Sequence, residues 1–207
     1  MVINMDTLKA ENVSFSYGSN QILNNLNITI NSNQIIGLFG DSGSGKSTLC
    51  KVLTGFIKEY EGNVLINDKK HEKGYNPIQL IYQHPEKIMN PRWKMKSVLE
   101  ESWIPSEEVL DEFGIKKEWF DRYPSELSGG ELQRFSILRA LNPKTKFIIA
   151  DEITTMLDAV TQVQIWKSLL SIAKKNSIGV LVVSHDKKLL NRICDSIVFL
   201  SEIMDED

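Results

Sequence analysis

The sequence predicts an α/β fold with a mostly parallel sheet at its core, an antiparallel β subdomain at its N-terminus and a helical subdomain in its middle. The wholly apolar segments at residues 35–39 and 147–150 are typical of strands buried on both faces of a parallel sheet. Residues 8–15 and 22–30 tend to alternate apolar and polar positions on either side of a Gly-Ser-Asn turn, which favours antiparallel strands. Residues 84–141 carry helix start signals instead.

Length and composition limit the possible architectures and partners. The 207 residues, 42% hydrophobic and 25% charged, suit one domain with a satellite subdomain. A net charge of −3 argues against nucleic acid as the main partner, because binding a phosphate backbone usually requires a basic face. No apolar run approaches the ~18 residues that cross a bilayer. The two cysteines are far apart in sequence, which favours a reducing cytoplasm over a metal or redox pair.

A glycine-rich loop follows the apolar segment at residues 35–39. Its spacing of Gly, four residues, Gly, Lys and Ser is that of a phosphate-binding loop between a strand and a helix, and it predicts a P-loop NTPase core. Lys46 is expected to neutralise the outer phosphates, and the Ser47 hydroxyl to bind Mg²⁺. The residues predicted to hold the nucleotide here are Gly40, Asp41, Ser42, Gly43, Ser44, Gly45, Lys46, Ser47 and Thr48.

The remaining elements follow from local patterns. Residues 64–66, 77–82, 178–183 and 197–200 are predicted strands, and residues 187–194 a helix. Ser97 with Glu100 has the spacing of a capping box, and Ser106 precedes an acidic first turn that Gly114 ends, so each serine predicts a helix start. A further helix is predicted from about residue 131 to residue 143. The helix after Asp158 is predicted to bury Val160, Val163, Trp166, Leu170 and Ala173 on one face.

Two further motifs indicate chemistry. Asp151 and Glu152 follow a predicted strand, at the carboxyl edge where ligands bind in such sheets. Asp151 is suited to the Mg²⁺ shell through water, and Glu152 to activating the attacking water as general base. Leu127 to Glu131 form a second flexible loop leading into a helix, a nest of backbone donors that could bind another phosphate group.

With these motifs in this order, the chain resembles the ATPase subunits of ABC transporters over essentially its full length. The order is the phosphate-binding loop, Gln83 after a strand, Leu-Ser-Gly-Gly-Glu, a strand ending in Asp-Glu, Leu157-Asp158, and His185 after a strand. The resemblance implies a single ABC ATPase domain over residues 1–207, with a helical signature subdomain inserted at about residues 84–141. Two positions depart from the family pattern: Ile153 replaces the usual proline, and Met156 replaces a small residue at the expected dimer seam.

The resemblance also implies roles for individual residues. Tyr17 would stack on adenine, and Gln83 would contact Mg²⁺ and the water and couple the site to the membrane partner. Asp158 would cross the dimer seam, and His185 would hold the γ-phosphate and the water. The signature loop of one subunit would close over ATP bound to the other; its residues here are Ser128, Gly129, Gly130 and Glu131. The implied catalytic residues are Glu152, His185, Lys46 and Gln83, and the implied metal ligands are Ser47, Gln83 and Asp151.

The resemblance further implies ATP and Mg²⁺ as cofactors and a cytoplasmic position, peripheral on the inner face of the cell membrane. The expected partners are a second ATPase subunit, in a homo- or heterodimer, separate transmembrane permease subunits and, indirectly, a solute-binding protein, with no nucleic acid. Tyr82-Gln83-His84-Pro85 and Asn90-Pro91-Arg92 are similar to a motif of the peptide and nickel importer ATPases. Residues 84–93, with apolar Ile88, Met89 and Trp93, are then the predicted contact with a permease.

Two alternatives remain open at this point. A soluble ABC-type ATPase that acts on DNA or ribosomes usually carries two cassettes or a long coiled coil, and neither is found in this sequence. A nucleotide-binding regulator without turnover would lack Glu152 or His185, and both are present. The transported solute does not follow from the sequence, because the ATPase cassette does not touch it.

Overall fold

The computed structural model describes residues 5–71 and 74–204, which form two compact units. The first unit comprises residues 5–71, 74–80, 145–151 and 173–204, and the second comprises residues 81–144 and 152–172. The strands are β1 (Thr7–Tyr17), β2 (Asn20–Asn31), β3 (Ile35–Phe39), β4 (Glu61–Ile66), β5 (Ile78–Ile81), β6 (Phe147–Asp151), β7 (Gly179–Ser184) and β8 (Ser196–Phe199). The helices are α1 (Lys46–Leu53), α2 (Met95–Glu100), α3 (Glu107–Glu112), α4 (Gly129–Ala140), α5 (Ala159–Lys175) and α6 (Lys187–Ile193).

Two sheets form the first unit. The antiparallel sheet has the strand order β2-β1-β4, and its β1–β2 hairpin turns at Gly18 and Ser19 as the sequence predicts. The other sheet has the order β5-β6-β7-β3-β8, with parallel pairing of β3 to β7 and β8 and of β6 to β7. The predicted combination of an antiparallel N-terminal sheet with a mostly parallel sheet is confirmed.

One apolar core joins both sheets to α1. Leu8 and Leu26 of the antiparallel sheet, Leu38 and Phe147 of the parallel sheet and Leu49 of α1 are each no more than 1% exposed and belong to one buried cluster. Complete burial of a side chain of this size stabilises a fold by about 1.5–3 kcal/mol. The helix that follows the glycine-rich loop is therefore fixed by apolar packing along its buried face.

The second unit contains α2 to α4 and the first part of α5. Phe135 of α4 lies at its centre, fully buried, with ring centroids 5.8 Å from Phe120 and 6.5 Å from Trp119. Ser168 of α5 donates a hydrogen bond of 2.6 Å to the carbonyl of Glu112, which ties α5 to the end of α3. Among the described residues, no helix combines the length and the apolar character needed to cross a membrane.

The predicted helix start at Ser97 is wrong. Helix α2 begins two residues earlier, at Met95, whose side chain is fully buried and whose amide donates to the Arg122 carbonyl at 2.9 Å. Burial of Met95, Val98 and Leu99 outweighs the capping signal, since a cap contributes only about 0.5–2 kcal/mol. The start predicted at Ser106 is confirmed, because Ser106 is the N-cap residue of α3.

The predicted buried face of α5 is wrong in its first two turns. Val160 and Val163 are 67% and 52% exposed, whereas Ile165 and Leu169 are fully buried and Trp166 is 4% exposed. A helix turns by about 100° per residue, so Val163 and Ile165 lie on nearly opposite faces. The sequence contains two offset apolar stripes, and the one beginning at Ile165 is packed into the core.

Candidate nucleotide site

The glycine-rich loop leaves β3 after Phe39 and enters α1 at Lys46. Gly45 is the N-cap residue of α1 and adopts a left-handed conformation with φ of 104°. A side chain there would be strained, and its Cβ would lie 3.0 Å from Cγ2 of Ile22. The glycine is therefore required by the backbone path that turns the loop into the helix.

The Lys46 ammonium lies inside this loop. Lys46 is only 5% exposed, and its Nζ donates hydrogen bonds to the carbonyls of Gly40 at 2.7 Å and Asp41 at 2.6 Å. The buried hydroxyl of Ser44 has no hydrogen-bond partner among the described residues. A buried cation and an unpaired buried hydroxyl within one loop fit an anionic phosphate, which could accept from both.

Backbone donors add to this fit. Gly45 provides no side-chain cap, and the first helical bond joins the Leu49 amide to the Gly45 carbonyl at 2.9 Å. The amides of Lys46, Ser47 and Thr48 therefore come before the first amide that donates within the helix, as at the start of any helix. Such amides and the positive end of the helix dipole stabilise a bound phosphate.

Three predicted site residues meet at one edge of the parallel sheet. Strand β7 lies between β6 and β3, and its register pairs Asp151 with Val183 and Phe39 with Ser184. Asp151, the start of the loop at Gly40, and His185 directly after β7 therefore lie at the carboxyl ends of three neighbouring strands. This is the edge at which sheets of this type bind ligands.

The oxygen ligands predicted for Mg²⁺ in this unit are the Ser47 hydroxyl and the Asp151 carboxylate. Among residues 5–71 and 74–204, no group of three His, Cys, Asp or Glu side chains is arranged to hold a metal ion. A hard cation that takes most of its ligands from phosphate and water suits such a sparse oxygen set. The residues present thus fit Mg²⁺ bound together with a nucleotide.

The two thiols differ in surroundings but share a raised pKa. Burial, with a further contribution from the nearby Asp151 carboxylate, raises the pKa of the fully buried Cys50 thiol well above its ordinary value. Burial, with the Asp195 carboxylate as a second cause, raises the pKa of Cys194 to about 12. The Cys194 sulfur packs close to Gly37 of β3.

We expect Cys194 to resist alkylation in the folded protein. Its thiol keeps its proton at about pH 8, so iodoacetamide should label it at least tenfold more slowly than in the denatured chain. The Cys194 thiol has a pKa near 9.0 in the unfolded chain and about 12 in the folded chain. Because the unfolded chain gives up the proton more easily, the free energy of unfolding decreases as the pH rises from 9.0 towards 12. Mass spectrometry of labelled peptides, with denatured protein as control, measures the rates; equal rates in both states would contradict the expectation.

Tyr17, predicted to stack on adenine, ends β1. Its ring is 53% exposed and lies edge-on to Phe15, with centroids 4.8 Å apart. An exposed ring of this kind has surface available for a base. The stacking role stays a prediction.

The signature loop starts α4 in the second unit. Ser128 and Glu131 form a capping box, in which the Glu131 amide donates to the Ser128 hydroxyl at 3.3 Å and the Ser128 amide to the Glu131 carboxylate at 2.8 Å. A Cβ on Gly129 would meet open space, whereas one on Gly130 would lie 2.9 Å from Thr161. The glycine at position 130 thus lets α4 approach the start of α5.

Glu152 and Asp158 lie at the two ends of one turn in the second unit. Glu152 has a left-handed backbone with φ of 51°, and its carbonyl accepts from the Thr155 amide at 3.3 Å and hydroxyl at 2.7 Å. Asp158 caps α5: its carboxylate accepts from the amides of Val160 and Thr161, both at 3.0 Å, and from the Thr161 hydroxyl at 2.6 Å. The Thr161 hydroxyl, followed by the backbone donors, lowers the pKa of Asp158.

Gln83 lies two residues beyond β5 and is half-buried. The preceding residue, Tyr82, accepts a hydrogen bond of 3.2 Å at its carbonyl from the side chain of Gln133, which is only 1% exposed. The sequence motifs did not point to Gln133. The signal that could have identified it is its position as a polar residue between the apolar positions 132 and 135 of α4.

The predicted permease contact needs one correction. Trp93 is 40% exposed, but Met89 is only 4% exposed and is not part of a surface patch. Met89 follows the short 3₁₀ turn Pro85–Lys87, whose Pro85 is also buried. The apolar character of Met89 is explained by burial in the second unit.

Comparison with known proteins identifies the family. The family model described as "ABC transporter" matches residues 23–155. The nickel import system ATP-binding protein NikE of Staphylococcus aureus strain bovine RF122 / ET3-1 is 31% identical over 211 aligned positions, covering 95% of this chain and 88% of the relative. This chain belongs to the ABC transporter family. It is the ATP-binding, ATP-hydrolysing subunit of an ABC transporter, as the sequence motifs predict.

Other relatives and solved structures agree. NikE of S. aureus strain N315 is 30% identical with the same coverage. A structure described as the ATP binding subunit of an ABC transporter has a TM-score of 0.80 at 22% identity, covering 93% of this chain and 85% of its own. CbiO1 of Clostridium perfringens, described as part of the transporter complex CbiONQ, has a TM-score of 0.76 at 24% identity, covering 93% and 83%. These structural likenesses confirm the predicted fold class.

Proposed function

We propose that this ABC ATPase powers the import of nickel or of a related metal complex. The observation that carries the proposal is the similarity to NikE, a nickel import system protein, over 95% of the chain. The segment from Tyr82 to Arg92, which is similar to a motif of peptide and nickel importer ATPases, agrees with it. Import of peptides remains the alternative, supported only by that segment.

We further propose that the loop of residues 40–48 binds the phosphates of ATP. Lys46 would exchange its two carbonyl partners in part for phosphate oxygens, and the α1 amides would donate to the same group. The residues proposed as Mg²⁺ ligands are Ser47, Gln83 and Asp151. When bound, that ion neutralises charge on the phosphates during phosphoryl transfer.

In the proposed hydrolysis, Glu152 accepts the proton of the attacking water as general base. His185 donates a hydrogen bond to the γ-phosphate and holds the water, and Gln83 contacts the water. The Lys46 ammonium, which is buried in the loop, neutralises negative charge on the transferred phosphate and on the remaining diphosphate. The chemistry needs no covalent intermediate with the protein, because positioning and charge stabilisation suffice for phosphoryl transfer.

The proposed assembly places this subunit peripherally on the inner face of the membrane, bound to separate permease subunits. Trp93 is exposed and lies within residues 84–93, which follow Gln83 in the sequence. Its apolar side chain is therefore suited to contact a permease. A second ATPase subunit, identical or homologous, would complete each ATP site through residues 128–131 and Asp158. A solute-binding protein would deliver the cargo without touching this chain.

Nickel uptake tests the substrate. We expect deletion of the gene in its source organism to lower uptake of radioactive nickel at limiting concentration by about tenfold or more, because transport stops without ATP hydrolysis. Wild-type protein should restore uptake, whereas Lys46→Ala, which removes the buried ammonium, should not.

Uptake of a labelled oligopeptide is measured in the same strains. Loss of peptide uptake with normal nickel uptake would assign the system to peptides and contradict the nickel proposal. Unchanged uptake of both would also contradict it. Equal expression of the Lys46→Ala and wild-type proteins, measured by immunoblot, is the control.

A further inference from the structure

The hydroxyl of Thr154 is a buried acceptor that the motifs do not explain. Thr154 is 3% exposed, and its Oγ1 accepts hydrogen bonds from Nε2 of Gln162 at 2.9 Å and from Nε1 of Trp166 at 3.0 Å. A hydroxyl has two acceptor lone pairs, so these two donors use both. Trp166 itself is 4% exposed, which makes its indole N–H dependent on this partner.

These bonds fasten the turn that carries Glu152 to helix α5. Thr154 lies inside that turn, and its carbonyl accepts from the Leu157 amide at 3.1 Å. The next residue, Thr155, holds the Glu152 carbonyl through both its amide and its hydroxyl. Fixing Thr154 on α5 therefore restricts the backbone on both sides, from Glu152 to Leu157.

The backbone of Glu152 needs such a restraint. Its φ of 51° is uncommon for a residue with a side chain, and such conformations persist only where the surroundings determine them. Ile153, 2% exposed, and Thr154 are consecutive buried residues directly after Glu152. They hold the turn by apolar packing and by the two hydrogen bonds, respectively.

We propose that Thr154 is a positioning residue for ATP hydrolysis, which orients Glu152 by accepting hydrogen bonds from Trp166 and Gln162 of α5. The inference rests on the proposed role of Glu152 as general base. It adds to that role a support for the Glu152 backbone, formed by the two hydrogen bonds that Thr154 accepts from α5. It also gives Trp166 a function beyond packing.

The test compares Thr154→Val with Thr154→Ser. Valine has the shape of threonine but no acceptor, so we expect kcat for ATP hydrolysis to fall about tenfold, with KM for ATP changed less than about twofold. Serine keeps the acceptor, and its kcat should remain within about threefold of wild type. Thr145→Val is the matched control, since it removes another buried hydroxyl, bonded to Tyr75 at 2.7 Å in the first unit, and should leave kcat unchanged.

Two further variants keep the test decisive. Trp166→Phe removes one donor and keeps an aromatic ring, so it should also lower kcat. It tests the inference even if Thr154→Val does not fold. In the Glu152→Gln background, Thr154→Val should cost no additional turnover, because both act through one group. The inference is overturned if Thr154→Val has an unchanged kcat, or if Thr154→Ser is as slow as Thr154→Val, provided that Glu152→Gln shows the expected loss of turnover. Normal turnover of Glu152→Gln itself would instead overturn the proposed general base.

Discussion

Replacing Glu152 with Gln is expected to lower steady-state ATP turnover by about 10²-fold or more and to leave ATP binding nearly intact. The amide keeps the size and much of the hydrogen bonding of the carboxylate, but it cannot accept the proton of the attacking water. Glu152 directly follows Asp151, which ends β6 at the ligand-binding edge of the sheet. The buried Lys46 ammonium and the α1 amides, which are proposed to bind the phosphates, are not altered by this change.

Turnover is measured by phosphate release, and binding by equilibrium titration with a fluorescent ATP analogue. Glu107→Gln is the matched control: it makes the same chemical change at an exposed residue of α3, whose ion pair with Lys117 is at the surface. It should leave turnover within about twofold of wild type. Near-normal hydrolysis by Glu152→Gln would remove Glu152 from the role of base.

Local patterns predicted the first unit well because its strands and loop are determined by nearby residues. The apolar run at residues 35–39 coincides with β3, and the glycine-rich loop leads from this strand into a helix, as its spacing predicts. The left-handed φ values of Gly43 and Gly45 explain why these residue types are needed. Where the residues of a segment determine its own conformation, the local sequence was sufficient to predict that conformation.

The errors arose where tertiary packing chooses between two acceptable local patterns. Ser97 offered a helix start that the burial of Met95 overrode, and Val160 and Val163 offered an apolar stripe that the one from Ile165 replaced. Met89 resembled a surface anchor because an apolar residue among polar ones is typical of both an interface and a short buried turn. Only the three-dimensional packing distinguishes such pairs.

The candidate site likewise contains residues that the local sequence predicts and residues that only tertiary contacts reveal. Its motif residues were recognised from spacing, but Gln133 and Thr154 were not, since their hydrogen-bond partners Tyr82 and Trp166 lie in other segments of the chain. Asp158, predicted at the dimer seam, also caps α5: one carboxylate oxygen accepts from two backbone amides, and the other accepts from the Thr161 hydroxyl. A capping role and a role at the seam are compatible, because hydrogen bonds from Thr161 and the backbone keep the carboxylate ionised and fixed.

The second large effect is expected at Ser128, because the chain contains two loops that are predicted to bind phosphate, residues 40–48 in the first unit and residues 128–131 in the second. If ATP joins two subunits, each nucleotide contacts the first loop of one chain and the second loop of the other. Glu152→Gln protein should then form an ATP-dependent dimer, alone or with a homologous subunit, since bound ATP that is not hydrolysed stabilises the assembly. Ser128→Arg should abolish that dimer, because the exposed position 128 would then carry a bulky side chain where the backbone donors of the loop are proposed to meet the γ-phosphate.

The loss of dimerisation can be separated from damage to the fold. Ser128 caps α4, and removal of a cap costs about 0.5–2 kcal/mol, whereas α4 is held by buried Leu132, Phe135 and Leu138. Ser128→Ala removes the cap without adding bulk, so it should keep the dimer, while Ser128→Arg should sediment as a monomer with ATP. Binding of ATP at Lys46 should be unchanged in both variants. A Ser128→Arg protein that still dimerises, or that hydrolyses ATP as a monomer at a rate independent of protein concentration, would show that residues 128–131 serve only to start a helix.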